Sequence, residues 1–142
     1  MKYYAVFDTN VLVSSLLTKN PDSATARVID LVADGKVTSL FNGEILDEYE
    51  EVLSRAKFRF SHTAVERLME VFRQFGQALA PIATDEPFAA DSDDKIFYEV
   101  VMAKREQTNK DEDSYLVTGN LRHFPIKPFV VTPAEMLAIV EG

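Results

Sequence analysis

The chain is predicted to fold as one α/β domain over residues 1–142, built on a mostly parallel sheet of about five strands. Two observations carry that expectation. Short apolar runs with strand character alternate along the chain with longer segments of helical periodicity, the pattern of a parallel sheet covered on both faces. The length, 142 residues with 46% hydrophobic and 27% charged content, is that of a chain able to bury a proper core. No internal repeat, low-complexity tract or linker divides it.

Residues 3–8 form an apolar run ending in an acid, the signature of a buried parallel strand. Residues 10–17 continue as a helix, with Val11, Leu12 and Ser15 helically spaced. Pro21-Asp22-Ser23 is a turn and helix start, after which Ala24, Val28, Leu31 and Val32 make one apolar stripe up to Gly35. Residues 37–41 are a second strand. Asn42 caps a helix running to about Arg55, with Ile45, Leu46, Tyr49, Val52 and Leu53 inward. A helix over 61–75 follows, ended by Gly76, then a weak third strand over 78–83. Asp93 or Asp94 opens a helix through about Lys104. Residues 105–113 read as a surface loop or frayed helix end. A fourth strand spans 114–118, a fifth 128–131, and a closing helix 133–140 carries proline in its first turn.

Composition narrows the chemistry. The absence of cysteine rules out disulfides, thiolate metal sites and cysteine nucleophiles. No apolar run approaches the roughly 20 residues a membrane helix needs. The opening residues read as a strand rather than a signal peptide, so a cytoplasmic location with no membrane association is expected. A net charge of −8 argues against nucleic acid when taken alone, since phosphate contacts ask for a basic footprint. Carboxylates gathered around a divalent ion add negative charge that the ion later cancels, and the acidity also suits a basic protein partner. With 5 glycines and no Gly-rich loop after the first strand, a dinucleotide site is excluded.

In open parallel sheets, ligands bind outside the carboxyl ends of the strands. Asp8 stands at such an end, where the competing role is a helix cap. Glu48 lies in the helix after the second strand, beside an apolar face, unlike the solvated Glu50 and Glu51. Asp91, Asp93 and Asp94 start the helix before the fourth strand, where the helix dipole welcomes carboxylates in any case. Leu116-Val117-Thr118-Gly119-Asn120 ends the fourth strand. Three sets of acids therefore converge on one edge of one sheet, an arrangement that repels itself without a cation. Hard oxygen ligands of this kind suit Mg²⁺ or Mn²⁺.

These residues resemble the PIN domain family. Asp8-Thr9-Asn10-Val11-Leu12-Val13-Ser14 looks like its opening signature. The likeness continues through Glu44-Ile45-Leu46-Asp47-Glu48-Tyr49-Glu50-Glu51-Val52-Leu53-Ser54-Arg55, Asp91-Ser92-Asp93-Asp94-Lys95-Ile96-Phe97 and Tyr115-Leu116-Val117-Thr118-Gly119-Asn120. The branch it is most similar to is that of bacterial toxin–antitoxin toxins, the VapC-like ribonucleases. The resemblance implies a Rossmann-like three-layer α/β/α sandwich and a Mg²⁺- or Mn²⁺-dependent ribonuclease. Its metal-binding acids would be Asp8, Glu48 and Asp93, with Asp94 the neighbour confusable with Asp93. Thr9, Asn10 and Thr118 would support the site by orienting a ligand or water. Asn120 stands where the family often has a fourth aspartate; an amide oxygen can coordinate but brings no charge, leaving one firmly held ion and a looser second. Asp113 is a weaker candidate to compensate.

In the mechanism this suggests, Asp8 and Asp93 bind the principal ion and position the attacking water, Glu48 reaches it directly or through water, and Asn120 bonds that shell or the scissile phosphate. For RNA binding, Arg55, Lys57 and Arg59 with Phe58 and Phe60 form one candidate cluster, and Arg122, His123 and Lys127 another. The two phenylalanines read as core, Arg55 and Arg122 as phosphate contacts, and His62 and His123 as surface or structural residues. A homodimer and an antitoxin partner are expected. Two alternatives compete: a PIN-like module that binds RNA or a protein without cleaving, and an α/β phosphatase or receiver-type domain phosphorylated on Asp8. The second lacks an acid two residues on and a suitably placed lysine.

Overall fold

A computed structural model describes residues 1–89, 92–107 and 111–142. Five strands form one sheet in which every pairing is parallel: β1 (Lys2–Phe7), β2 (Val37–Phe41), β3 (Gly76–Ala78), β4 (Glu112–Val117) and β5 (Val130–Val131), ordered β3-β2-β1-β4-β5. The helices are α1 (Thr9–Leu17), α2 (Ala24–Ala33), α3 (Gly43–Leu53), α4 (His62–Gln74), α5 (Lys95–Gln107) and α6 (Pro133–Glu141). From β1 the chain steps outward through β2 to β3, then returns across the sheet by way of α5 to β4 on the other side of β1. That return makes the gap between β1 and β4 the switch point, where a crevice opens beyond the strand ends. Helix α5 packs on β1, β2 and β4, whereas α2 packs on both α1 and α6. Right-handed crossovers put these sets on opposite faces, giving the expected α/β/α sandwich.

Local chemistry accounts for the helix boundaries. Asn42, Ser61 and Thr132 each accept a hydrogen bond from a backbone N–H of the first turn, and Thr132 with Glu135 completes a capping box ahead of Pro133. The amphipathic faces read from the sequence turn inward: Ile45, Tyr49 and Leu53 on α3, and Val65, Leu68, Met69 and Phe72 on α4, are all buried. No helix among the described residues is long and apolar enough to cross a membrane.

Four boundaries depart from the sequence expectation. Gly76 opens β3 instead of merely ending α4; the Leu79 N–H still bonds the Phe41 carbonyl of β2 at 2.9 Å, and residues 80–83, expected in that strand, leave the sheet. There the Ile82 N–H bonds the Glu99 carbonyl at 3.1 Å, so the segment is tied to α5. Residues 105–107 belong to α5, and β4 begins at Glu112, two residues before the expected start. Buried charges explain both extensions. Lys104 lies 3.4 Å from Glu112 and 3.9 Å from the centre of the Tyr4 ring, while the Tyr4 hydroxyl donates to Glu112 at 3.2 Å. One residue on, the Arg105 guanidinium donates to the Ser114 carbonyl at 2.6 Å and lies over Phe129. β5 shortens to two residues because 128–129 form a turn. Two 3-10 turns, Ala56–Phe58 and Leu121–His123, were not anticipated.

Candidate functional site

The crevice is built from the two central strands. Phe7 and Val117 are register partners, so the next residues, Asp8 and Thr118, emerge side by side at the carboxyl edge. The Asp8 N–H bonds the Val117 carbonyl at 2.9 Å, and the Thr118 hydroxyl donates to the Asp8 carboxylate at 2.8 Å. Asp8 occupies the cap position of α1, yet its side chain makes no capping bond; it lines the cleft instead. The Asn10 N–H, in the first turn of α1, still approaches the carboxylate closely enough to favour its charged form, so a weak capping contact accompanies the place in the cleft. Asn10 locks the same corner, its amide oxygen accepting from the Gly119 N–H at 3.2 Å.

Glu48 reaches this corner because its neighbour Tyr49 is anchored. Tyr49 is fully buried, stacks with Phe97, meets Phe72 edge-on and donates its hydroxyl to the Phe7 carbonyl at the end of β1. Burial, with the charges of Asp8 and Glu48 adding to it, lifts the Tyr49 pKa well above the ordinary phenol value, so the hydroxyl stays a donor. Half-buried Glu48 then lies in the cleft, bonded by the Thr9 hydroxyl. Tyr49→Phe keeps the ring and deletes the donor; a loss of about 1 kcal/mol in urea unfolding is expected, without loss of the fold.

Asp93 and Asp94 complete the acidic wall just before α5. Asp94 is the deeper, with its carboxylate 3.2 Å from Nδ1 of His123, whereas Asp93 is exposed on the rim. Asp8, Thr9, Asn10, Glu48, Asp93, Asp94 and Arg55 all line one cleft of about 930 Å³. Burial raises the Asp8 carboxyl above the ordinary range, opposed by the Thr118 bond and assisted by Asp94. Glu48 is raised by burial, against the Thr9 bond, and further by Asp93, Asp8 and Asp94. Asp94 is raised by burial too, with His123 pulling the other way. Three carboxyls thus strain against their own charge in one cleft, a donor set whose chemistry fits a hard divalent cation. The fit is one of chemistry and shared cleft: among the described residues no three His, Cys, Asp or Glu side chains form a group arranged to hold a metal ion. Thr118, Thr9 and His123 are the partners of Asp8, Glu48 and Asp94 in turn.

Other expectations are redistributed. Asn120 does not line the cleft; its side-chain amide lies 3.0 Å from Nε2 of His123, so an Asn120–His123–Asp94 chain runs along the cleft's edge. Arg122 lines a smaller adjoining pocket with His123 and Asp94. Arg55 lies in the acidic cleft, paired with Glu51 at 2.8 Å. Lys127 is taken by Glu86 at 2.9 Å, away from the cleft. Asp113 sits opposite Tyr3, near the start of β1, and bonds Tyr115 and Arg105, so it cannot compensate for Asn120 at the other end of the sheet. Asp91 lies outside the described residues. His62 is exposed on α4. His123 was read as surface or structural; its approach to Asp94 was missed, although a histidine three residues beyond Asn120 is the spacing of one 3-10 turn.

An acid-lined cleft at the switch point of a parallel α/β/α sandwich stands where open α/β sheets bind their ligands. The PIN domain family model matches residues 4–122, and the protein belongs to that family. No curated protein and no solved structure matches it. PIN domains are typically nucleases and generally use divalent metal ions.

Proposed function

We propose that the protein is a Mg²⁺- or Mn²⁺-dependent endoribonuclease acting as the toxin of a bacterial toxin–antitoxin pair. The observation that carries the nuclease reading is the cleft itself: Asp8, Glu48, Asp93 and Asp94 face it together, on the edge where the family's matched segment ends its central strands. The cation would be held by Asp8, Glu48 and one of Asp93 and Asp94, with Asp94 favoured by its depth and its electrostatic reach to Asp8. A bound divalent ion makes water more acidic and offsets charge on the leaving oxygen. The chain's own residues do the rest. Thr118 fixes the Asp8 carboxylate, Thr9 fixes Glu48, and His123, backed by Asn120, holds Asp94. In the hydrolysis, water's oxygen ends on phosphorus, and the departing ribose oxygen gains a proton.

Asn120 is then a second-sphere residue acting through His123, not a ligand. An RNA-binding module without cleavage is the second reading, favoured by the lack of a preassembled three-ligand group. The toxin role and an antitoxin rest on the likeness to the toxin branch of the family; a homodimer rests on apolar positions of the helices over 10–17 and 61–75, where Leu17 and Phe75 are exposed. Incubating the protein with single-stranded RNA and Mn²⁺ should give internal cleavage that chelator abolishes; calorimetric Mn²⁺ binding without cleavage would select the second reading. Mn²⁺ at ten times its Kd is expected to add about 1.4 kcal/mol of stability. That is an increase in Tm of roughly 3–6 °C, which should shrink as pH falls and protons take the carboxylates. A melting curve indifferent to Mn²⁺ would remove the metal from the proposal.

A further inference from the structure

The cleft is not acidic throughout: Val52, Phe58, Pro81 and Ile96 line it as well. Phe58 and Phe60 were read as core from the sequence, but neither is fully buried; Phe60 packs on the core, and Phe58 faces the cleft. Their rings stack at 5.3 Å and 8°. Residues two apart in sequence stack here because Arg59 between them turns the chain in the left-handed region, φ 56°, the one non-glycine among the described residues to do so. A β-carbon makes that conformation unfavourable, and such strain concentrates where a surface is held for use. The same turn carries three cations. Arg55 is paired with Glu51, while Lys57 and Arg59 are in no ion pair among the described residues. In a chain of net charge −8 this is a local basic stretch, of which Arg55 lines the cleft.

We propose that residues 55–60 form a base-stacking subsite in which the Phe58 ring receives one base of the bound RNA. The inference rests on the nuclease reading of the same cleft. One nucleotide then lies with its phosphate toward the acids and their cation and its base on Phe58, while Lys57 and Arg59 meet neighbouring phosphates. The Lys57 ammonium, 5.1 Å from the Phe58 ring centre, yields its place to the base: an exposed cation–π contact is exchanged for the stronger base stack, and the ammonium is freed for phosphate. A base inside a duplex cannot reach this ring, because its faces are already stacked and its edge is paired.

The test is fluorescence anisotropy of a labelled single-stranded RNA of about eight nucleotides. It uses the full chain carrying Asp8→Asn, in chelator, so that binding is read apart from cleavage. The single strand should bind more tightly than the corresponding duplex. Phe58→Ala should weaken it on the order of tenfold, Phe58→Leu likewise, and Phe58→Tyr should restore it. A strand with abasic positions should be insensitive to Phe58. Lys57→Ala and Arg59→Ala should each flatten the salt slope by roughly 0.7. Equal binding of duplex and single strand, or Kd within twofold in both Phe58→Ala and Phe58→Leu, overturns the inference; Phe58→Leu guards against a folding defect of the alanine variant. Phe58-dependent binding without cleavage by the unmutated chain sinks the nuclease reading alone. Cleavage with KM unmoved by Phe58→Ala sinks the subsite alone.

Discussion

Asp8→Asn should abolish RNA cleavage and, in metal-free buffer, make the protein more stable. Both effects come from one side chain. Asp8 is only 5% exposed, and burial holds its carboxyl above the ordinary range even though Thr118 donates to it. Asparagine has the same shape, keeps an oxygen for the Thr118 hydroxyl and removes the charge that burial penalises. The expected gain without metal is about 1 kcal/mol, a rise in Tm of roughly 2–5 °C. Activity should fall at least about a hundredfold, the scale of loss when a metal shell is disturbed. The pH dependence gives an internal check. A carboxyl whose folded pKa is raised binds its proton more tightly when folded, so its contribution to stability is lost as pH rises from the ordinary carboxylate value through the raised one. The variant's advantage should therefore be full at neutral pH and vanish below the ordinary carboxylate range, where protonated Asp8 resembles asparagine. A variant that melts earlier than the parent, or cleaves normally in saturating Mn²⁺, would contradict this assignment.

A gain of that kind would mark Asp8 as placed for function rather than folding. The sequence made Asp8 legible because a buried parallel strand followed by an acid is a local pattern with one geometric outcome. Strand β2 and the cap at Asn42 were legible for the same reason: a few adjacent residues decide them. Glu48 was legible through the apolar face beside it, and Tyr49 turned out to be what fixes that face against β1. What escaped was decided at long range. Glu112 joins β4 because Lys104 and Tyr4 meet it from other elements, and no window around residue 112 contains them. His123 engages Asp94, 29 positions earlier by number, across a fold that only the sheet brings together. Phe58 was taken for core by its type, whereas its partner Phe60 and the left-handed Arg59 leave it facing the cleft.

Gly76 is the sharpest instance of that limit, and its substitution should have the largest effect on folding. In the sequence it is a helix stop; in the structure it is the first residue of an edge strand pressed against its neighbours. A β-carbon there would lie 2.2 Å from the Phe72 carbonyl oxygen, 2.4 Å from the Phe41 ring and 2.5 Å from Ser39 Oγ. Those atoms have nowhere to go. The Ser39 hydroxyl already donates to the Phe72 carbonyl at 3.0 Å in a buried bond, and Ser39 is itself paired to Gly76 in the sheet. Gly76→Ala must therefore break that bond or push β3 off β2, at a cost of about 2–4 kcal/mol and roughly 6–15 °C in Tm. Gly43→Ala is the matched control. It is the first residue of α3 with nothing within 4 Å of the added carbon, so the swap should gain about 0.5–1 kcal/mol. The consequence reaches the site, because the chain leaving β3 carries Pro81 into the cleft wall and runs on toward Ser92, Asp93 and Asp94. Displacing β3 should weaken RNA cleavage as well as stability, whereas Gly43→Ala should alter neither adversely. Equal melting temperatures for the two variants would mean that β3 does not pair with β2 in this register.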